Sequence, residues 1–125
     1  MIVIIDYGIG NLRSVLKALQ FLGFASTITK SRLEIKNSSG IILPGVGAFD
    51  AGIEELRRTN LESVLLEEIA LKKPILGICL GMQLLFPSSE EGKLHGLNVL
   101  KGTCRRFKGQ SLSVPHMGWN RLIIE

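Results

Sequence analysis

The fold of this chain is decided by the stretch Lys73-Pro74-Ile75-Leu76-Gly77-Ile78-Cys79-Leu80-Gly81-Met82-Gln83. Its apolar run Ile75–Ile78 follows directly on a proline and predicts a short buried strand. The residues from Leu80 to Phe86 predict a helix that begins immediately after Cys79. A strand that leads at once into a helix is typical of α/β proteins. The stretch therefore places the chain in the α/β class.

Cys79 lies at this junction, with one glycine two positions before it and another two positions after it, Gly77 and Gly81. A sharp strand-to-helix turn with small residues on both sides of a nucleophilic side chain is a nucleophile elbow, because bulky residues there would clash. The helix dipole at such a turn favours the thiolate, which is the reactive form of cysteine. We therefore predict that Cys79 is a nucleophile in a strained backbone conformation. The alternative is a buried structural cysteine after a core strand.

A second glycine-rich loop follows another predicted strand, Ile41–Leu43, and reads Pro44-Gly45-Val46-Gly47-Ala48-Phe49-Asp50. Its two glycines allow the backbone to turn its N–H groups towards a ligand. In acyl-transfer enzymes such N–H groups stabilise the oxyanion of the tetrahedral intermediate. Alone, the loop is typical of an ordinary strand-to-helix turn. Together with the elbow at Cys79, it is a candidate oxyanion loop.

The remaining patterns predict alternating strands and helices, which imply a mostly parallel sheet with helices on both faces. Further strands are predicted at Ile2–Asp6, Phe24–Thr29, Val99–Leu100, Cys104–Phe107, Leu112–Val114 and Leu122–Ile124. Further helices are predicted from Leu12 to about Gly23, at Asp50–Arg57 and after Asn60, with a short helix or turn at Ser31–Lys36. Reactive groups collect at the carboxyl ends of parallel strands. We therefore expect Tyr7-Gly8, Pro44-Gly45 and Cys79 to face one crevice.

The predicted helix after Asn60 has an apolar and a charged side. The spacing places four apolar residues inward, Leu61, Val64, Leu65 and Ile69. It places four charged residues outward, Glu62, Glu67, Glu68 and Lys72.

The composition indicates one soluble domain. Apolar residues make up 46% of the 125 residues, the net charge is +4 and the mean hydropathy is +0.30. No apolar run approaches the roughly 20 residues of a membrane span, and the N-terminal run lacks the basic region of a signal peptide. The two cysteines, Cys79 and Cys104, form no metal-ligand spacing and no disulfide framework. We therefore expect a cytoplasmic protein without metal or cofactor that binds neither nucleic acid nor membrane.

Four segments together resemble a known family. Pro44–Phe49 and Gly77–Gln83 are similar to the corresponding motifs of the class I, triad-type glutamine amidotransferases. Asp6-Tyr7-Gly8-Ile9-Gly10-Asn11-Leu12 and Pro115-His116-Met117-Gly118-Trp119-Asn120 narrow the resemblance to the glutaminase subunits of imidazole glycerol phosphate synthase, from histidine biosynthesis. The resemblance covers essentially the whole chain. It implies that residues 1–125 are the N-terminal portion of a single amidotransferase domain.

The resemblance implies the chemistry of a glutaminase. Cys79 would attack the side-chain amide of glutamine and form a glutamyl thioester while ammonia leaves. The oxyanion hole would consist of the N–H groups of Leu80, Val46 and Gly47. Gln83 and Gly47 match family positions that contact the substrate glutamine. The alternative for Gln83 is a surface residue of a helix.

The resemblance also implies a partner, a cyclase subunit with a (β/α)₈ barrel that receives the ammonia. Asn11, Met117 and Trp119 match family positions at or near the interface with that subunit. The alternative for Trp119 is a core aromatic residue after a turn. A competing interpretation is a related amidotransferase that supplies ammonia to another acceptor.

The family's catalytic His and Glu belong to a His-Pro-Glu segment, and no such segment occurs in this sequence. The only histidines are His95 and His116, and we expect both to be structural. We therefore expect that the C-terminal part of the fold is missing and that the chain is inactive alone. The non-enzymatic alternative is a truncated fragment that only docks on a synthase.

Overall fold

The computed structural model describes residues 1–109 and 113–125. Its strands are β1 (Ile2–Ile5), β2 (Ser26–Thr29), β3 (Gly40–Leu43) and β4 (Ile75–Gly77). They form one parallel sheet in the order β2-β1-β3-β4. The register pairs Val3 with Thr27 on one side and with Ile41 on the other. The predicted α/β class and the parallel sheet are thus confirmed.

Five helices connect or follow these strands. They are α1 (Leu12–Phe21), α2 (Arg32–Asn37), α3 (Phe49–Arg58), α4 (Leu61–Ala70) and α5 (Leu80–Gln83). Two of them begin at a side-chain cap, since Asn11 Oδ1 accepts from Ser14 N and Ser31 Oγ accepts from Glu34 N, each at 3.4 Å. These caps satisfy N–H groups that lack a partner in the first helical turn. No helix in the described part of the chain is long and apolar enough to cross a membrane.

Helices cover both faces of the sheet, because strand side chains alternate between the faces. One face packs against α2 to α5 and supplies the buried residues Val3, Ile5, Ile41 and Leu43. The opposite face carries Ile4 and Ile42 and is covered by α1, which contacts β1 and β2. No residue of α1 is buried, and Leu76 on this face is 57% exposed. The main core therefore lies on the side of α2 to α5.

One charged residue of α4 is buried, contrary to the sequence prediction. The apolar residues at the start of α4 are buried as predicted, but Glu68 is only 5% exposed. Its Oε2 pairs with Lys73 Nζ at 2.6 Å. The same ammonium group donates to the carbonyl oxygens of Ile35 and Lys36 at 2.8 and 2.7 Å. Lys73 therefore neutralises a buried carboxylate and binds the free carbonyl groups near the end of α2.

Helix α5 is shorter than predicted and ends at Gln83 rather than at Phe86. After Gln83 the backbone tightens, because Leu85 N donates to Met82 O at 3.2 Å and Phe86 N donates to Gln83 O at 3.0 Å. These are the i→i+3 hydrogen bonds of a tighter turn. The sequence pattern does not reveal this change because Leu84, Leu85 and Phe86 continue the apolar run.

The strands predicted after Phe86 do not form in the described residues. Val99–Leu100, Cys104–Phe107 and Leu122–Ile124 contain no strand, and the only pairing there is an isolated bridge between Ser89 and Cys104. The predicted strand Leu112–Val114 includes Leu112, which lies outside the described residues. A strand needs a neighbour for its N–H and C=O groups. Apart from the single bridge at Cys104, the wrongly predicted segments meet no such neighbour in the described part of the chain.

Candidate active site

Cys79 occupies the turn between β4 and α5, with φ 53° and ψ −116°. This left-handed φ is strained for a residue that has a Cβ atom. The two flanking glycines explain how the turn is possible. A Cβ on Gly77 would lie 2.5 Å from Met82 Cα, and a Cβ on Gly81 would overlap the carbonyl oxygen of Leu43. The geometry is thus that of an elbow, and its thiol-bearing residue is exposed.

Backbone hydrogen bonds hold this elbow against β3. Ile78 N donates to Leu43 O at 3.0 Å, and Gly81 N donates to Ile78 O at 3.0 Å. Met82 N and Gln83 N both donate to Cys79 O, at 3.1 and 3.2 Å. Because α5 has only four residues, its dipole is weaker than that of the longer helix expected from the sequence. The elbow therefore fixes the position of the thiol mainly by packing and backbone geometry.

The loop Pro44–Gly47 lies directly against the elbow. A Cβ on Gly45 would lie 2.9 Å from Gly81 N and 3.0 Å from Leu80 Cβ. Gly47 has φ 98°, and both Val46 and Gly47 are exposed. Their N–H groups donate to no acceptor among the described residues. The structure therefore brings the predicted oxyanion loop to the predicted nucleophile and leaves the two N–H groups available.

Tyr7 belongs to this site, although the sequence predicts no role for it. It is fully buried at the end of β1, and its hydroxyl donates to the carbonyl oxygen of Pro44 at 2.7 Å. Burial raises the pKa of the Tyr7 phenol far above its ordinary value, and Coulombic repulsion from the Cys79 side chain raises it further. The phenol is therefore neutral at ordinary pH.

A cavity of about 330 Å³ opens beside α5. Its wall includes Gln83, the predicted substrate-contacting residue, together with the acidic Glu91 and the basic Arg105 and Arg106. Cys79 is not part of the wall. Met82, which lies about one helical turn after Cys79, is part of it. The remaining wall residues are Phe86, Ser89, Cys104 and Phe107. Gln83 is therefore half-buried at a cavity rather than on a free helix surface.

The wall residue Cys104 was predicted to lie in a strand, which the structure does not show. Its Sγ lies 3.7 Å from the carbonyl oxygen of Gln83, in hydrogen-bond geometry for a thiol. Burial raises the pKa of the Cys104 thiol, and the carboxylate of Glu91 raises it further. Cys104 is therefore a protonated wall residue at neutral pH and a poor nucleophile.

The loop that carries Glu91 is tied to the start of α3 by Asp50. The Asp50 carboxylate accepts from Lys93 N at 3.0 and 2.9 Å and from Leu94 N at 3.0 Å. These backbone hydrogen bonds lower the pKa of Asp50. Within the loop, Ser89 Oγ accepts from Glu91 N at 3.2 Å. Sequence reasoning missed Asp50 and Glu91, because no pattern links positions so far apart in the chain.

The two histidines lie away from the cavity wall. His95 is exposed, and its carbonyl oxygen accepts from Arg57 Nη2 at 2.9 Å. His116 Nε2 lies 2.7 Å from Asn120 Nδ2 on an exposed segment. Neither ring is among the residues that line the cavity. Among residues 1–109 and 113–125, no group of His, Cys, Asp and Glu side chains could hold a metal ion.

The three residues predicted to face a partner are all exposed. Asn11 caps α1 at the surface. The side chain of Met117 is 87% exposed and that of Trp119 is fully exposed. The alternative interpretation of Trp119 as a core aromatic is therefore wrong for the described chain.

Comparison with known proteins adds to this geometry. The family model of glutamine amidotransferase class-I matches residues 3–125. Over 123 residues, the chain is 46% identical to the imidazole glycerol phosphate synthase subunit HisH of Microcystis aeruginosa and 53% identical to that of Bacillus cereus. Both matches cover 98% of this chain but 58% of the relative. The chain thus spans under two thirds of the length of these curated relatives.

The fold is also similar to a solved crystal structure of a glutamine amidotransferase. The TM-score is 0.72 at 20% sequence identity, and the match covers 86% of this chain and 59% of that chain. At this identity the likeness concerns the fold alone. The family model, by contrast, matches almost the whole sequence and includes the elbow at Cys79 and the loop beside it. The chain belongs to the class-I glutamine amidotransferase family.

Proposed function

We propose that the chain carries the nucleophile and the oxyanion hole of a glutaminase. The observation that supports this proposal is the exposed Cys79, whose φ is 53°. It lies beside the N–H groups of Val46 and Gly47, which have no acceptor in the described part of the chain. The thiolate attacks the side-chain carbonyl carbon of glutamine, and the oxyanion binds the N–H groups of Leu80 and the loop. The C–N bond then breaks, the nitrogen takes up a proton and leaves as ammonia. Water hydrolyses the thioester to glutamate and regenerates the thiol.

The cavity wall supports an α-amino acid as the substrate. Glu91 offers a carboxylate for an α-ammonium group, while Arg105 and Arg106 offer guanidinium groups for an α-carboxylate. Gln83, which is held at the end of α5, offers an amide that both donates and accepts. All of these groups line the cavity beside α5, the helix that begins directly after Cys79.

The partner proposed for this glutaminase is a (β/α)₈-barrel cyclase subunit in the cytoplasm, with which it forms a heterodimer in histidine biosynthesis. The relatives of about 50% identity are named as subunits of imidazole glycerol phosphate synthase. Asn11, Met117 and Trp119 are all exposed and therefore accessible for the contact. Ammonia released at Cys79 would be consumed by the cyclase before it equilibrates with solvent.

The base that takes the thiol proton and returns it to the leaving nitrogen would lie outside these 125 residues, because neither His95 nor His116 lies at the elbow or in the cavity wall. Residues 1–125 are on this view the N-terminal portion of one amidotransferase domain. The isolated chain should therefore hydrolyse no glutamine, with or without a cyclase. Glutamate release measured with the 125-residue chain and a cyclase tests this; turnover at the level of a longer relative would contradict it.

The nucleophile can be tested without turnover, by covalent labelling with a chloromethyl ketone analogue of glutamine. Mass spectrometry should show one label, on Cys79, and glutamine should slow its appearance while asparagine should not. Cys79→Ala should abolish labelling, whereas the Cys104→Ala variant should still carry one label, on Cys79. Labelling at Cys104, or no protection by glutamine, would overturn the proposed site.

A further inference from the structure

The hydroxyl group of Tyr7 lies where the oxyanion loop meets the elbow. It donates to the carbonyl oxygen of Pro44 at 2.7 Å, and a Cβ on Gly45 would lie 2.5 Å from the same hydroxyl oxygen. Tyr7 is fully buried, so its polar atom depends on this partner. The hydrogen bond therefore holds the peptide group that joins Pro44 to Gly45.

This peptide group determines where the next N–H groups point. A rotation of the Pro44–Gly45 peptide would turn the backbone of the following residues, Val46 and Gly47. Gly10 also lies close to the loop, because a Cβ there would be 3.4 Å from Gly45 N. The segments of Tyr7 and Gly10, which follow β1, thus both pack against the loop.

We propose that Tyr7 is a positioning residue, whose hydrogen bond to Pro44 fixes the N–H groups of Val46 and Gly47 relative to Cys79. The inference rests on the proposed glutaminase function and deepens it. Tyr7 touches neither the substrate nor the reacting atoms on this view. It acts through the loop, because an oxyanion hole works only when its donors are already oriented towards the position of the oxyanion.

The labelling rates with two electrophiles distinguish a change in the orientation of the loop from a change in the reactivity of the Cys79 thiol. The chloromethyl ketone analogue of glutamine reacts through a tetrahedral adduct, which needs the oxyanion hole. Iodoacetamide reacts by direct displacement of iodide and develops no oxyanion. Tyr7→Phe should slow the labelling of Cys79 by the ketone about tenfold and leave the rate with iodoacetamide unchanged within about twofold.

The matched control is Thr59→Val, which also removes a hydroxyl that donates to a backbone carbonyl, that of Glu55 at 2.7 Å. It lies at the end of α3 and should change neither rate. Circular dichroism checks the fold of each variant. If the Tyr7→Phe variant does not fold, a variant with 4-aminophenylalanine at position 7 is used instead. Because its N–H group is a weaker donor than a hydroxyl, its labelling rate with the ketone should lie between the native rate and one about tenfold lower.

The outcomes distinguish this inference from the proposed function. A native chain that does not react faster with the ketone than with iodoacetamide contradicts the proposed function, and the role of Tyr7 falls with it. If the native chain reacts faster with the ketone and the position-7 variant shows the same preference, the role of Tyr7 is overturned but the proposed function stands. Equal slowing by both electrophiles also overturns it, since that result would indicate a change in the thiol rather than in the loop.

Discussion

The carbonyl oxygen of Leu43 occupies the space that a Cβ on Gly81 would need. The same oxygen accepts the hydrogen bond from Ile78 N at 3.0 Å, so it cannot move away without breaking the link between β3 and the elbow. The carbonyl oxygen of Leu43, at the end of β3, therefore restricts position 81, two residues after Cys79, to glycine. The glycine spacing that reveals the elbow in the sequence has this contact as its physical cause.

Gly81→Ala should destabilise the protein by about 3 kcal/mol, because the added methyl group forces the elbow away from β3. Gly40→Ala is the matched control, since a Cβ there would lie 3.7 Å from Pro74 O, an ordinary contact. It should be neutral or stabilise by up to about 1 kcal/mol. Urea unfolding followed by circular dichroism measures both. Equal stability of the two variants would show that the overlap relaxes at no cost.

Lys73→Met should destabilise the protein by roughly 3 kcal/mol, because it leaves Glu68 as an unpaired buried carboxylate. The ion pair is 2.6 Å long, and the side chains of Lys73 and Glu68 are only 12% and 6% exposed. Lys36→Met is the control, because its ion pair with Glu67 is about half exposed. It should cost less than about 1 kcal/mol. Similar urea midpoints for the two variants would count against a special role for the buried pair.

The link between Asp50 and the loop of Glu91 should weaken in acid. Hydrogen bonds from Lys93 N and Leu94 N lower the pKa of Asp50 in the folded state, whereas in the unfolded chain it is about 3.9. The link therefore stabilises the fold fully above about pH 4 to 5 and is lost as the pH falls through the lowered folded pKa.

Asp50→Asn tests this by removing the charge. Its stability deficit against the native chain, from urea unfolding, should be constant between about pH 7 and 5 and should shrink below about pH 4. Thr59→Val, which removes no titrating group, should show a deficit that does not vary with pH. A deficit for Asp50→Asn that persists unchanged at the lowest pH would contradict the assignment.

Trp119→Ala should weaken binding to a barrel cyclase by about 2 kcal/mol, because a fully exposed tryptophan that becomes buried in an interface is typically a hot spot. Leu33→Ala is the control, an exposed apolar residue of α2 that is 69% exposed and was not predicted to face the partner. Isothermal titration with the cyclase of a relative measures both affinities. Unchanged affinity for the folded Trp119 variant would remove this residue from the proposed interface.

Local sequence was sufficient to predict the elbow, the glycine-rich loop after β3 and the four strands of the sheet, although β4 is not buried as predicted. Each depends on neighbours in the chain: the apolar runs form strands, and the glycines beside Cys79 permit its φ of 53°. The predictions were wrong where a partner decides the outcome. Leu122–Ile124 has a strand-like composition but meets no strand among the described residues, and Glu68 has a surface-like position in the helix but meets Lys73.

The sequence by itself thus determined the family, the parallel sheet and the sharp turn at Cys79, because these follow from short-range patterns of apolar residues and glycines. Only the tertiary structure decided that Tyr7 holds Pro44, that Asp50 holds the loop of Glu91, and that Gln83 faces a cavity. These contacts join residues that lie up to 44 positions apart. They form because the parallel strands bring their carboxyl ends together, and the order of the strands in the sheet, which no local pattern encodes, selects which loops meet.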